Sequence, residues 1–177
     1  MNIVITIGDC NGVGLEVLIK SIIQVNKKLA GKTNFNFSIV GNIETMKEYI
    51  NFLDLPIHIE SDSLVIRKKQ YQIINCKNYS KVQFGETTKS SGKLASEALE
   101  IAVERTIKKE FDAMVTMPIS KSALYLAGWN FPGQTEMLAK RSNIKKPLMI
   151  LCTRSLRVAL ATRSEEHTSE LQSPNTI

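Results

Sequence analysis

Two stretches of this sequence concentrate residues able to do chemistry. The first, Gly8-Asp9-Cys10-Asn11-Gly12-Val13-Gly14, stands between a β-branched run and an amphipathic run. Backbone N–H groups in such a place can meet an anion at a helix N-terminus. Asp9 could orient a ligand or cap the helix, and Gly12 and Gly14 could serve an anion or a turn needing positive φ. The spacing is neither GxGxxG nor GxxxxGK with a following Ser or Thr, so no dinucleotide or P-loop fingerprint is present. The second constellation joins Met117-Pro118-Ile119-Ser120-Lys121 to Phe131-Pro132-Gly133-Gln134-Thr135-Glu136. Ser120 and Thr135 bring hydroxyls, Lys121 a cation, and Gln134 an amide that both donates and accepts. Ser120 and Thr135 would serve equally as helix caps with Lys121 solvated, and residue chemistry leaves the two readings even.

Histidine limits the remaining chemistry by its scarcity. The chain has two, His58 and His167. His58 lies in the alternating run Pro56-Ile57-His58-Ile59-Glu60 and reads as the polar face of a strand. No His/Cys/Asp cluster has metal-ligand spacing, and neither a Ser–His–Asp nor a Cys–His arrangement can be assembled, so no metal ligand is assigned. Cys10, Cys76 and Cys152 are far apart without a CxxC pair, which argues against a disulfide framework or a zinc ribbon.

The elements that must position these groups follow from periodicity. Residues 2–7 and 37–40 read as strands, and Leu15, Leu18, Ile19 and Ile22 form the apolar stripe of a helix. A helix over 44–52 should end before Pro56, and 57–59 and 71–74 are short extended pieces. A longer helix should begin at Ser90 or Ser91, with Leu94, Ala98, Ile101 and Ala102 on one face. Residues 113–116 read as a strand stopped by Pro118, and 120–127 as a short helix capped by Ser120 with Gly128 past its end. Two further strand-like runs cover 147–152 and 156–162, the second ending at Thr162. Strands alternating with helices imply an α/β fold, a mostly parallel sheet with helices on both faces. Loops at the carboxyl ends of such strands form the ligand crevice, where both constellations would lie. A pattern that stops at Thr162 should leave an apolar face and an open edge exposed.

The chain has 177 residues, with 43% hydrophobic and 23% charged, ordinary values for a globular domain. No apolar run approaches the roughly 20 residues of a membrane span, and no signal peptide is evident, so a cytoplasmic protein is expected. Residues 163–173, RSEEHTSELQS, match codon by codon the in-frame translation of a widely used sequencing adapter. Residues 1–162 are therefore taken as the partial native domain and 163–177 as a non-native, disordered tail. The formal charge of +6 becomes +8 without that tail, from 22 Lys+Arg against 14 Asp+Glu. The lysines are scattered with little aromatic interleaving, which excludes a convincing nucleic-acid surface and leaves an anionic small molecule as the use of the surplus.

ITIGDCNGVGLEVLIK resembles the opening GDPAGIGPE motif of the 4-hydroxythreonine-4-phosphate dehydrogenases. FDAMVTMPISKSALYLAGWNFPGQTEMLA resembles their VTAPISKEAL, AG and FPGHTE segment, and LRVALAT the strand that follows. The resemblance runs from about residue 2 to Thr162. It implies an isocitrate/isopropylmalate dehydrogenase-like fold, truncated here, and a homodimer in the intact enzyme. It implies NAD- or NADP-dependent oxidation of 4-phosphooxy-L-threonine with a divalent metal, usually zinc, and decarboxylation to 3-amino-2-oxopropyl phosphate in pyridoxal phosphate biosynthesis. The family's substrate-contacting His-Thr pair falls on Gln134 and Thr135, of which only Thr135 matches. Cys10-Asn11 stand where the pattern has Pro-Ala, and Leu15 where it has Pro. The family's first metal histidine would come just after Thr162, where the chain turns into Arg163-Ser164-Glu165. With the family's histidines absent after Thr162, the chain alone is expected to be inactive. Two other readings stand beside this one: a non-catalytic phosphate- or nucleotide-binding module built on the loop 8–14, and an interaction fragment with no ligand.

Overall fold

A computed structural model describes residues 1–28, 35–53, 55–66 and 68–160. The first strand, β1 (Asn2–Thr6), has Val4 and Ile5 on opposite faces of the pleat, and both are buried. A strand apolar on both sides must be covered on both sides, which places β1 inside the sheet. The chain then crosses through α1 (Gly14–Lys28) to β2 (Asn36–Gly41), parallel to β1 with Val4 beside Ser38. Leu15, Leu18, Ile19 and Ile22 are all buried, as their spacing requires. Next come α2 (Ile43–Ile50), β3 (Ile57–Glu60), β4 (Ser63–Ile66) and β5 (Lys69–Asn75), the last parallel to β2. The long helix α3 (Lys89–Ile107) returns the chain to β6 (Ala113–Thr116), parallel to β1 on its other side.

The sheet order is β3-β4-β5-β2-β1-β6. Successive crossovers run in opposite directions from β1, and right-handed connections put α1 and α3 on opposite faces of the sheet. The pairings β5–β2, β2–β1 and β1–β6 are parallel, whereas β3–β4 and β4–β5 at the other end of the sheet are antiparallel. Short turns at Ser61 (φ 53°) and Lys68 (φ 69°) fold those strands back, because no crossover helix separates them. The sequence reading missed β4, whose four residues carry too little alternation to stand out.

Three local expectations need correction. Thr88, not Ser90 or Ser91, caps α3: its Oγ1 accepts the Ser91 N–H at 3.1 Å. Thr135 is no cap either; it lies inside α5 (Gln134–Arg141), whose N-cap is Gly133. Ser120 does cap α4 (Lys121–Leu126), and Gly128 lies past its end at φ +85°. The runs at 147–152 and 156–162 do not extend the parallel sheet. They form β7 (Ile150–Cys152) and β8 (Arg157–Ala159), an antiparallel pair in a sheet of their own. The second run was expected to stay extended to Thr162, but β8 ends at Ala159. The turn is closed by Thr153 N–H donating to Leu156 O at 2.7 Å. A link this short suits a hairpin, since parallel neighbours need a crossover of a dozen or more residues. The expected apolar exposure is present: Ile150, Leu151, Leu156 and Val158 are exposed on the hairpin, and Val115 on the edge strand β6. Thr162 and the whole tail with His167 fall in 161–177, outside the described residues.

Candidate functional site

The chain leaves β1 in one direction to build β2 and β5, then returns to place β6 on the other side of β1. The carboxyl ends of β1 and β6 therefore flank the point where the strand order reverses, the position where open α/β sheets bind ligands. The loops leaving those two ends are the two constellations of the sequence, and they touch. Asp9 N–H donates to Pro118 O at 2.9 Å, and Met117 N–H donates to Thr6 Oγ1 at 3.4 Å. Gly8 takes φ +72°, and a Cβ there would stand 2.4 Å from Pro118 O. Gly14 is packed almost as closely: an added Cβ would meet Ile7 O at 3.2 Å and Met117 Cβ at 3.4 Å. Gly12 has no such constraint, since its nearest neighbour would be Asp9 O at 3.6 Å. Positive φ thus explains Gly8 alone.

Asp9 does not cap α1. Its Oδ1 accepts the Asn11 N–H at 3.1 Å, a side-chain turn that holds the loop. Asn11 is buried and joins the glycine loop to residues 83–88. Its Oδ1 accepts the Gln83 N–H at 2.8 Å, its Nδ2 donates to Glu86 O at 2.9 Å, and its own carbonyl accepts the Gly85 N–H at 2.9 Å. The segment after β5 is fastened further by two carboxylates. Glu97 of α3 accepts the Lys77 N–H at 2.9 Å and the Asn78 N–H at 2.8 Å; Glu48 of α2 accepts the Val82 N–H at 3.0 Å and the Tyr79 hydroxyl. For Glu97 burial pulls the pKa up, but the hydrogen bonds together outweigh it and leave the carboxyl below its ordinary value. The hydrogen bond from Tyr79, with that from Val82, lowers Glu48 as well. Tyr49 completes the knit, donating its hydroxyl to Gly12 O at 2.8 Å. None of Asn11, Glu48, Tyr49 or Glu97 stands out as a site residue in the sequence. Only the departure at Cys10-Asn11 from the family pattern is a signal, and it points at the right residue.

From the second constellation, Gln134 reaches the junction: its Nε2 donates to Met117 O at 3.4 Å, a long contact that a ligand could replace. Thr135 follows it, half-buried, in the first turn of α5. Lys121 is exposed and lines a separate cavity with Trp129, Phe131 and Gly133. The structure thus brings Asp9, Gly14 and Gln134 together around residues 117–118, keeps Gly12 beside Asp9 and away from that junction, and places Lys121 in the lining of the cavity.

The donors for a divalent metal do not fit. Among the described residues no group of three His, Cys, Asp or Glu could hold an ion. The position after Thr162, where the family resemblance would put the first metal histidine, lies outside the described residues, and the sequence has Arg163 there. His58 is exposed on β3, opposite Val65 in the edge hairpin, as its alternation implied. Burial pushes the Cys10 thiol up to about 11 and the Cys76 thiol up to about 12, so both are protonated at neutral pH and neither is a ready nucleophile or ligand. Among the described residues no helix is long and apolar enough to cross a membrane.

Residues 33–169 match the family described as "Pyridoxal phosphate biosynthetic protein PdxA". A 4-hydroxythreonine-4-phosphate dehydrogenase of Sulfurihydrogenibium sp. (strain YO3AOP1) is 32% identical over 165 residues, covering 92% of this chain and 49% of that protein. The crystal structure of a 4-hydroxythreonine-4-phosphate dehydrogenase from Burkholderia phymatum superposes with a TM-score of 0.71 at 29% identity, over 89% of this chain and 48% of the other. That of the Klebsiella pneumoniae enzyme gives a TM-score of 0.71 at 27% identity, over 89% and 49%. The chain spans about half the length of the curated relatives it matches. With the fold, the paired loops and the family match in agreement, the chain belongs to the PdxA family of pyridoxal phosphate biosynthetic proteins.

Proposed function

We propose that this chain is the substrate-loop half of a 4-hydroxythreonine-4-phosphate dehydrogenase. The observation that carries the reading is the junction of residues 8–9 with 117–118 at the strand-order reversal, with Gln134 attached to it. In the intact protein, 4-phosphooxy-L-threonine would bind with Gln134 and Thr135 contacting it, near the loop of Asp9, Gly12 and Gly14. An amide at 134 donates and accepts hydrogen bonds but carries no charge, so it positions a substrate without moving a proton. Ketone formation there would release a β-keto acid that loses CO₂ to give 3-amino-2-oxopropyl phosphate. NAD or NADP would supply the hydride acceptor and a divalent metal, zinc in this reading, the Lewis acid. The intact enzyme would be a cytoplasmic homodimer.

The described donor set cannot build that metal's coordination sphere, so no step is assigned to it within this chain. We take residues 1–162 as the native half, ending at Thr162, and 163–177 as the adapter-derived tail. The 177-residue chain is then catalytically silent. The test joins residues 1–162 to the second half of the Sulfurihydrogenibium relative, confirms one cooperative melting transition, and measures NAD(P)-coupled turnover of 4-phosphooxy-L-threonine. Metal-dependent turnover that falls at least tenfold in Thr135→Ala is expected. A folded chimera without turnover would refute the assignment.

A further inference from the structure

Gln134 and Thr135 stand in the first turn of α5, so the seating of this short helix decides where they point. Gln134, Met137 and Arg141 recur at i, i+3 and i+7, the spacing of one helix face. Each makes a contact from that face. Gln134 Nε2 donates to Met117 O at 3.4 Å, Met137 packs in a cluster with Leu99 and Val103 of α3, and Arg141 reaches Glu100 of the same helix. Among the described residues of α5 only Met137 is buried, and the N-cap Gly133 supplies no side-chain hydrogen bond. A helix of this length, about 12 Å, seated on one buried side chain can rock about it.

The contact at Arg141 removes that freedom. Its Nε donates to Glu100 Oε2 at 2.8 Å and its Nη2 to Oε1 at 2.7 Å, a paired fork that fixes orientation as well as distance. Exposed ion pairs generally contribute little, and the bidentate arginine–carboxylate fork is the exception. The two residues lie 41 positions apart, so the pair ties two elements together instead of decorating one helix. Its base is firm, because α3 buries Leu94, Ala98, Leu99, Ala102 and Val103. A groove of about 330 Å³ borders the pair, walled by Val103, Glu104, Ile107 and Lys108 of α3, and on that side apolar packing is missing. Arg141 lies about 6 Å along the axis from Met137, and Gln134 about 4.5 Å the other way. Tilting that displaces one end therefore displaces the other by a comparable amount, and a misplacement of about 1 Å at a reacting centre can cost on the order of 10²-fold in rate.

We infer that Arg141 is a positioning residue for the proposed reaction: its fork to Glu100 sets the tilt of α5 and thereby the placement of Gln134 and Thr135 against the substrate. The inference rests on the substrate contacts proposed above for Gln134 and Thr135.

Both side chains of the pair are substantially exposed, 46% for Arg141 and 36% for Glu100, so substitutions there leave the core intact. In the 177-residue chain the readout is the NMR order parameter of the Gln134 side-chain amide. Arg141→Gln and Glu100→Gln should each lower it to the same extent, and the double variant should lower it no further. An unmoved Gln134 amide overturns the inference, because a pair that only adds stability would leave it unmoved. In the folded chimera with the Sulfurihydrogenibium second half, Arg141→Gln should reduce kcat/KM for 4-phosphooxy-L-threonine about tenfold. Arg141→Lys keeps the charge without the fork and should stay within about threefold of Arg141→Gln. An active chimera indifferent to Arg141→Gln, or fully rescued by Arg141→Lys, overturns the inference and leaves the dehydrogenase reading in place. A folded chimera that is inactive with Arg141 intact sinks the dehydrogenase reading, and the inference with it.

Discussion

Gly8 and Asn11 are the residues on which the loop junction depends, for different physical reasons. At Gly8 a side chain would occupy left-handed backbone and stand 2.4 Å from Pro118 O and 2.8 Å from Met117 Cβ. Neither atom belongs to a flexible side-chain end, so Gly8→Ala should cost about 2–4 kcal/mol. The readout is a lower urea midpoint at unchanged m value. Asn11 uses its amide as acceptor and donor at once. Asn11→Ala leaves the Gln83 N–H and Glu86 O without those partners, with an expected loss of about 2–3 kcal/mol. Hydrogen exchange at the amides of Gln83 and Gly85 should quicken more than at β1, and uniform exchange across both would contradict the local clamp. The partners that Asn11 clamps in residues 83–88 lie 72 to 77 positions away in the chain, which is why that role could not be read from local pattern. Ser120 could be read, because a cap and its helix are neighbours in sequence.

Among the elements, the long helix α3 shows how periodicity and packing divide the information. Its buried face, Leu94, Ala98 and Ala102, follows from spacing. Its close approach to α4 does not: a Cβ on Gly92 would stand 1.9 Å from Ala123 O, and nothing in the local sequence names that neighbour. The start of α3 differs from expectation because Thr88, Ser90 and Ser91 all have capping side chains, and geometry chose the first. Thr88→Ala should cost about 1 kcal/mol, measured by denaturant unfolding. The segment between β5 and α3 hangs on Glu48 and Glu97, both with folded pKa values below the ordinary carboxylate value. Their contribution is complete above the unfolded pKa of about 4.3 and is lost as pH falls through the lower folded values. Urea midpoints should therefore drop between about pH 5 and pH 3, and drop less steeply in Glu97→Gln. Parallel curves for the two proteins would refute this role. The hairpin β7–β8 escapes the sequence pattern because a short apolar run such as Ile150–Cys152 reads alike in a buried parallel strand and an exposed hairpin, and only pairing separates them.

At the scale of the whole molecule, alternation of strand and helix made the α/β class legible, and the family motifs located the two loops before any contact was known. The order β3-β4-β5-β2-β1-β6 was not legible, yet it is the order that turns two distant motifs into one junction. What the molecule has is a well-fastened crevice floor with Gln134 and Thr135 beside it; what its described residues do not supply is a cluster of metal donors. On the function proposed above, this chain would contribute the substrate side of the site and the metal donors would come from elsewhere in the intact protein. The most direct test is zinc-supplemented turnover of 4-phosphooxy-L-threonine by the purified 177-residue chain, followed as NADH or NADPH formation. The account predicts a rate indistinguishable from the protein-free blank at every zinc concentration. A rate proportional to chain concentration and abolished by a chelator would contradict it.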